Sequence, residues 1–432
     1  MSTIALLTIG FVVLLAIMGL PIWMAILGGI MPYFLIYQTM LAPQIIAQRV
    51  VAIAENSAYM AIPFFVAMGA VMNYAGISKR LLDLADGLVG HKPGGLGYVN
   101  VILSTLMGGC SGSSAADASM EAKILVPEMT ARGYDKDFSA AITISSSLIT
   151  TIIPPGMGLI LFGFVTNTSI GRLFCAGYLP GLLMMASQLL YVYLVSKKRG
   201  YKSGRESAAS GKEVVRLMGK ALWGLVLPFG IILGIRIGIF TATEAGALSV
   251  IYALIIGVLV YRDFKFKKHF KPALLETVYG TATVMILVCV ANGLSYFMTY
   301  ENIVNQFTTW LLGLNLGRSG FLFVVNIILL FLGMFIEGGP MFIILAPMLT
   351  PIASELGIDP VHFGLIFTML VSLGNMTPPF GIVLYQVAGI VRMDLVTVSK
   401  AVLPLVLIQI GVIILCDLFP FLSLAIPDLI YG

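Results

Sequence analysis

Continuous apolar runs of about 16–28 residues recur along the chain, separated by short polar stretches. They do not alternate with period two, which excludes a transmembrane β-barrel, whose strands alternate in segments of roughly ten residues. A run this long is a helix in lipid, because a helix satisfies its own backbone there. Full crossings are predicted at 3–20, 22–38, 60–76, 140–167, 173–196, 221–236, 238–261, 275–298, 362–388 and 402–427. The first begins almost at Met1 with no basic region ahead of it and reads as a retained span, not a signal peptide. Stretches 43–57, 78–90 and 303–314 mix apolar and polar residues at helical spacing and are predicted to lie along the interface. Two segments, 94–131 and 320–355, are predicted as hairpins that enter and leave on one side.

Charge tests this division. Of 25 Lys and Arg residues, twenty fall on one set of loops. Only Arg49, Arg172, Arg236 and Arg318 fall on the other, and Lys123 stays inside the first hairpin. Reading either hairpin as a single crossing would flip every later loop and destroy the asymmetry. The positive-inside rule therefore supports both hairpins and puts both termini outside. Composition agrees: 59% of the 432 residues are hydrophobic and 10% charged, against roughly 25% charged in soluble domains. The main solvent is the lipid bilayer, and the net charge of +5 is a retention charge beside anionic lipid, with no nucleic acid partner. Cys110, Cys175, Cys289 and Cys416 lie far apart in apolar stretches and read as packing residues.

The stretch 197–220 is the one long polar segment; its Gly and Ser residues make it loop-like, and it separates two similar halves. Gly133-Tyr134-Asp135 recurs as Gly357-Ile358-Asp359, and Pro154-Pro155 as Pro378-Pro379, both at an offset of 224. Each half reads as apolar arm, Gly-rich tip, apolar arm, Gly-x-Asp turn and apolar helix broken by Pro-Pro. The charge pattern gives the halves opposite orientations, the plan of many secondary transporters, with the site at mid-membrane where discontinuous helices meet. The expected fold is an all-α polytopic membrane protein of about ten full transmembrane helices plus two oppositely oriented re-entrant hairpins in inverted repeats. Scaffold helices are assigned to 1–76 and 171–302, transport repeats to 77–170 and 303–392, and a C-terminal helix to 393–432.

The first tip runs from Gly108 to Asp117, through Cys110. Arms of about 14 residues span roughly 21 Å, too short for two crossings, so the tip lies deep. The second tip is Glu337-Gly338-Gly339-Pro340, with proline at an ordinary helix start whose free N–H groups carry a positive dipole end. In the broken helices, Thr150–Gly156 and Gly374–Gly381, each proline frees a carbonyl one turn back, and in lipid that carbonyl needs a partner. Neutral oxygen ligands suit Na+. One Na+ site is expected from Ser111, Gly112, Ser113, Ser114, Thr150, Thr151 and Gly156, the other from Glu337, Gly338, Gly339, Asn375, Thr377 and Pro378. Substrate is expected between the tips, at Ser113, Ser114, Gly339, Asn375 and Met376.

Lys123, with Glu121 and Asp117 in the same arm, is open to local charge neutralisation or a substrate role; helix N-termini could hold a carboxylate instead. No Walker A pattern occurs, so ATP hydrolysis by this chain is not expected, and ion gradients can suffice. Two Na+ entering with one monovalent anion supply roughly 5 kcal/mol, enough for accumulation by more than three orders of magnitude. A rival reading is an intramembrane serine protease, since Gly109-Cys110-Ser111-Gly112 fits Gly-x-Ser-Gly. Its serine needs a histidine within reach. His91 and His269 sit in basic loops, and His362 starts a helix at the outer face. An ion channel is the other alternative.

The stretches Leu88–Leu96, Gly109–Asp117, Ile124–Met129, Phe240–Ala245 and Thr377-Pro378-Pro379 together resemble the large membrane subunit of the tripartite ATP-independent periplasmic (TRAP) transporters, over nearly the whole chain. The resemblance implies a Na+-coupled importer of an organic acid such as sialic acid, a C4-dicarboxylate or a sugar acid. It implies an elevator-type mechanism in the bacterial inner membrane, no enzyme activity and no cofactor beyond Na+. A small four-helix membrane (Q) subunit and a periplasmic substrate-binding (P) protein are the implied partners. The family's Na+ sites fall by motif on the two tips and the two breaks. Many relatives have Ile or Val at Cys110 and Pro at Ala242; neither change removes an oxygen ligand. Glu244 is expected in a scaffold or subunit-contact role.

Overall fold

A computed structural model describes residues 3–37, 44–109, 111–205, 207–303, 306, 309, 313, 317–336 and 338–432. In chain order its α-helices are α1 (Thr3–Ile17), α2 (Ile22–Pro32), α3 (Gln44–Glu55), α4 (Ala61–Tyr74), α5 (Ile77–Val89), α6 (Gly95–Gly108), α7 (Ser114–Ala131), α8 (Lys136–Ile152), α9 (Met157–Thr166) and α10 (Ile170–Ala176). There follow α11 (Tyr178–Arg199), α12 (Gly211–Arg236), α13 (Ala242–Ile255), α14 (Phe266–Tyr300), α15 (Gly317–Gly333), α16 (Gly338–Glu355), α17 (Pro360–Gly374), α18 (Ile382–Val391), α19 (Leu395–Leu418) and α20 (Phe421–Tyr431). Among the described residues the only β pairing is an isolated bridge between Pro93 and Ser203. The fold is all-α with several strongly apolar helices.

Local chemistry explains where these helices start and stop. Gly133 and Gly357 take positive φ, +84° and +71°, and end α7 and α16. The amides of Tyr134 and Ile358 then close back onto Met129 O and Ala353 O at 3.1 and 2.9 Å. The recurring Gly-x-Asp is thus a helix stop followed at once by a helix start. Asp359 caps α17 through Val361 N at 2.7 Å, with Pro360 in the first turn. Glu244 forms a capping box with Thr241 at the head of α13, a structural role.

Among the described residues, five helices are long and apolar enough to cross a membrane unaided: Ile170–Arg199, α12, Ala242–Val260, α14 and α19. Two bent pairs, α4/α5 at 65° and α8/α9 at 41°, raise this to seven. The remaining predicted spans appear as shorter apolar helices, so length and composition alone stop short of ten crossings. Three further readings change. The span placed at 402–427 is two helices, because α19 ends at Leu418 and Pro420, lacking an N–H, interrupts the ladder. The loop 197–220 ends early: Ser210 accepts from Glu213 N at 3.2 Å and starts α12 ten residues before the predicted span. Lys123 is exposed and makes no ion pair among the described residues, so it does not neutralise Asp117 and Glu121, which are buried on the opposite face of α7. The interface segments 43–57 and 78–90 appear as α3 and α5. Most of 303–314 lies outside the described residues, as does Cys110; Cys175 and Cys416 are free and buried.

Each hairpin packs on the first half of its own broken helix: α6 and α7 on α8, α15 and α16 on α17. The second halves cross over, α9 packing on α16 and α18 on α7. A separate group brings α4 against α13 and α14, and α2 and α3 against α14. Around the outside, Phe229, Phe323 and Leu407 are more than 60% exposed, the signature of a lipid-facing surface.

Ion pairs respect the predicted faces. On the basic-loop side Arg199 meets Asp135 at 2.7 Å, Arg205 meets Glu213 at 2.8 Å, and Arg80 meets Asp263. On the other side Arg172 bridges Asp428 at 2.8 Å and Asp359 at 3.7 Å. The segment after α11 is docked: Tyr201 stacks on Tyr134 with centroids 4.5 Å apart, and the Tyr134 hydroxyl donates to Lys202 O at 2.8 Å.

Candidate ion and substrate site

The site is assembled from two interruptions of helical backbone. The ladder of α8 closes with Ile153 N on Ile149 O at 3.0 Å; Pro154 and Pro155 then offer no N–H, and α9 resumes at Met157. The first hairpin's tip is laid into this gap. Gly112 O accepts from Met157 N at 3.2 Å. Gly112 has φ +60°, and a Cβ there would collide with Pro155 O. A Cβ at Gly156 would collide with Thr151 O. The glycines are needed for backbone approach.

The second interruption is closed by its own carbonyls. Asn375 O accepts from Val383 N at 2.9 Å, and Thr377 O accepts from Gly381 N at 3.2 Å. Gly333 at the end of α15 lies against Gly374, so close that a Cβ on Gly374 would sit 2.5 Å from Gly333 Cα. The breaks also meet each other: Thr151 Oγ1 and Ser372 Oγ are 2.9 Å apart.

Between the tips lies a cavity of about 360 Å³. Of the predicted site residues, Ser111, Gly112, Ser113, Ser114, Thr151, Gly338, Gly339 and Asn375 line it. Thr150 turns away, 2.8 Å from Asp117 Oδ2 and 3.0 Å from Ser104 O. Thr377 spends its hydroxyl on Leu373 O at 2.6 Å. Gly156, Pro378 and the buried Met376 do not reach the cavity wall, and Glu337 lies outside the described residues. A larger apolar cavity of about 1020 Å³ between α1, α2, α14 and the second hairpin has few polar groups. Its lining is apolar where ion and carboxylate chemistry needs oxygens and N–H groups.

Ser111 Oγ and Asn375 Oδ1 are buried without a hydrogen-bond partner. An unpaired buried oxygen is costly unless a donor or a cation meets it. Among the described residues no group of three or more His, Cys, Asp or Glu could hold a metal. The available ligands are hydroxyl, amide and carbonyl oxygens, a set suited to a hard monovalent cation.

Behind the first tip runs a buried polar network that single-residue reading missed. Ser104 Oγ donates to Glu121 Oε1 at 2.9 Å, Ser146 Oγ to Asn100 Oδ1 at 2.7 Å, and Asn100 Nδ2 to Thr143 Oγ1 at 2.8 Å. It locks both arms of the hairpin to α8. The signal was available: Asn100/Ser104 and Asp117/Glu121 are polar pairs at i, i+4 inside apolar helices.

Nothing here assembles a protease. Ser111 Oγ has no partner, and His362 Nδ1 is 2.6 Å from Ser423 Oγ, elsewhere in the fold. The family model for the tripartite ATP-independent periplasmic transporter, DctM component, matches residues 8–422. The chain belongs to this family. As a TRAP large permease it is a membrane transport component and not an enzyme. It is 38% identical to the sialic acid TRAP transporter large permease protein of Vibrio cholerae, over 89% of this chain and 90% of that one. It is 36% identical to the C4-dicarboxylate TRAP transporter large permease protein of Pseudomonas aeruginosa, over 87% of each. The crystal structure of the YdaH transporter of Alcanivorax borkumensis is similar with a TM-score of 0.59 at 14% identity, covering 86% of this TRAP permease and 87% of that chain. That likeness concerns the fold alone.

Proposed function

We propose that this chain is the permease subunit of a Na+-coupled importer of an organic acid in the bacterial inner membrane. The observation that carries the proposal is the cavity between two glycine-rich tips, with the unpartnered Ser111 Oγ and Asn375 Oδ1 on its wall. Na+ takes these oxygens together with carbonyls at the breaks, one ion beside each tip. Ser113, Ser114, Gly339 and Asn375 then contact the acid. The two hairpins and the two broken helices move together as an elevator against α4, α13 and α14, each hairpin re-entering from its own face. Asn73 stands at the end of α4, next to a basic loop, and meets Glu276 of α14 there; the cavity wall they form supports a state open to the cytoplasm. A separate four-helix subunit and a periplasmic binding protein complete the transporter.

The test is uptake into vesicles holding this chain with its small subunit, supplied with the binding protein and an inward Na+ gradient. Accumulation of a carboxylate above its outside concentration, abolished when the Na+ gradient is collapsed, is expected. Equal flux with no Na+ on either side would instead mark a channel and overturn the proposal.

A further inference from the structure

Among the described residues, the cavity between the tips is lined by one charged side chain, Glu276, and by no Lys, Arg or His. Glu276 sits on α14, where Gly280, Thr283 and Leu287 also line the cavity. The spacing i, i+4, i+7, i+11 is a single stripe of a helix, roughly 16 Å long at 1.5 Å per residue. Glu276 Oε1 accepts from Asn73 Nδ2 at 3.0 Å. The Tyr74 side chain also hydrogen-bonds Glu276, and because an ionised carboxylate offers about four lone-pair positions, part of its acceptor capacity is left for a ligand. Across the cavity, the tip side presents Ser113, the cap of α7, with Ser114 and the Asn375 amide. One wall thus carries a charged acceptor in Glu276, and the tip side carries hydroxyl and amide groups that can donate.

We propose that the cargo is a polyhydroxylated monocarboxylate, and that Glu276 is the residue that selects it by accepting from its hydroxyl or amino groups. This rests on the organic-acid permease reading above. The cargo's single carboxylate lies toward the tips, among hydroxyls, the amide and Na+. A C4-dicarboxylate brings a second carboxylate, which would face a like charge with no guanidinium or ammonium among the described lining residues to compensate.

The experiment measures binding to the purified pair of this chain and its small subunit, in NaCl, by calorimetry. The probes are N-acetylneuraminate, gluconate and succinate. At least one of the first two should bind about tenfold or more tightly than succinate. Glu276→Gln should weaken that acid by roughly tenfold, the loss of a charge-assisted hydrogen bond, and should narrow the gap to succinate. Unchanged stabilisation of Glu276→Gln by Na+ alone would show that the fold is intact. Succinate binding as tightly as the hydroxylated acids, or Glu276→Gln leaving the ranking unaltered, would overturn the proposal. If the ranking holds but Na+ has no effect on any acid, the Na+-coupled reading falls and the role of Glu276 stands.

Discussion

Thr151 Oγ1 and Ser372 Oγ lie 2.9 Å apart, a direct link between the broken helices of the two halves. Both residues also line the cavity. The link puts the two breaks in direct contact through a pair of neutral hydroxyls. Thr151→Val and Ser372→Ala should each lower stability by about 1 kcal/mol, and the double variant should cost clearly less than the sum. Thermal unfolding of the four proteins checks this; strict additivity would show that the pair does not couple.

Gly112 and Gly133 both have positive φ, yet their surroundings differ. A Cβ at Gly133 meets nothing, whereas at Gly112 it meets Pro155 O. Gly133→Ala should cost only the left-handed strain, about 1–2 kcal/mol, and keep Na+-dependent uptake. Gly112→Ala should displace the tip from the break and abolish that uptake even where the protein still folds. Transport assays on both variants in vesicles separate the two effects.

Removing an unpartnered oxygen has an unusual sign. Without Na+, Ser111→Ala should be as stable as the parent or slightly more so, because a buried unpaired group is gone. With Na+, its stabilisation by the ion should shrink. Melting curves recorded across a Na+ titration report both effects, and a Na+ response equal to the parent's would remove Ser111 from the ion site.

The turn at Asp135 should respond to acid. The Tyr201 hydroxyl, donating at 2.8 Å, and then Arg199 hold the Asp135 carboxyl below the usual carboxylate range. A depressed value stabilises the fold above the unfolded pKa of about 3.9 and loses that contribution as pH falls through the folded value. Tyr201→Phe should therefore differ from the parent near neutral pH, with the difference shrinking below about pH 4. The effect is small because Asp135 is largely exposed. Unfolding midpoints across pH provide the check.

What could be read without coordinates was whatever depends on local backbone chemistry. The Gly-x-Asp turns, the Pro-Pro breaks and the hairpin arms fall within a few residues of their predicted places because glycine, aspartate and proline act on their own neighbours. The ion pairs join residues that the charge pattern assigns to one side. Side-chain direction could not be read in this way. Thr150 and Thr151 are adjacent, yet one serves the buried network with Asp117 and the other the cavity. Helical phase against neighbours distant in sequence decides that, and no local pattern carries it. The contribution of Asn73 and Glu276 was hidden for the same reason, because the wall they form depends on how α4 and α14 pack.

The crossed packing of α9 on α16 and of α18 on α7 bears on how the protein is made. Gly158 lies so close to Phe342 and Thr368 that a Cβ there would sit 2.9 and 2.8 Å from them. While the ribosome has delivered only the first half, that surface of α9 has nothing to rest on but acyl chains. The first hairpin likewise waits for α18. Insertion can proceed helix by helix, but the interior cannot be complete until the last of these partners has entered the bilayer.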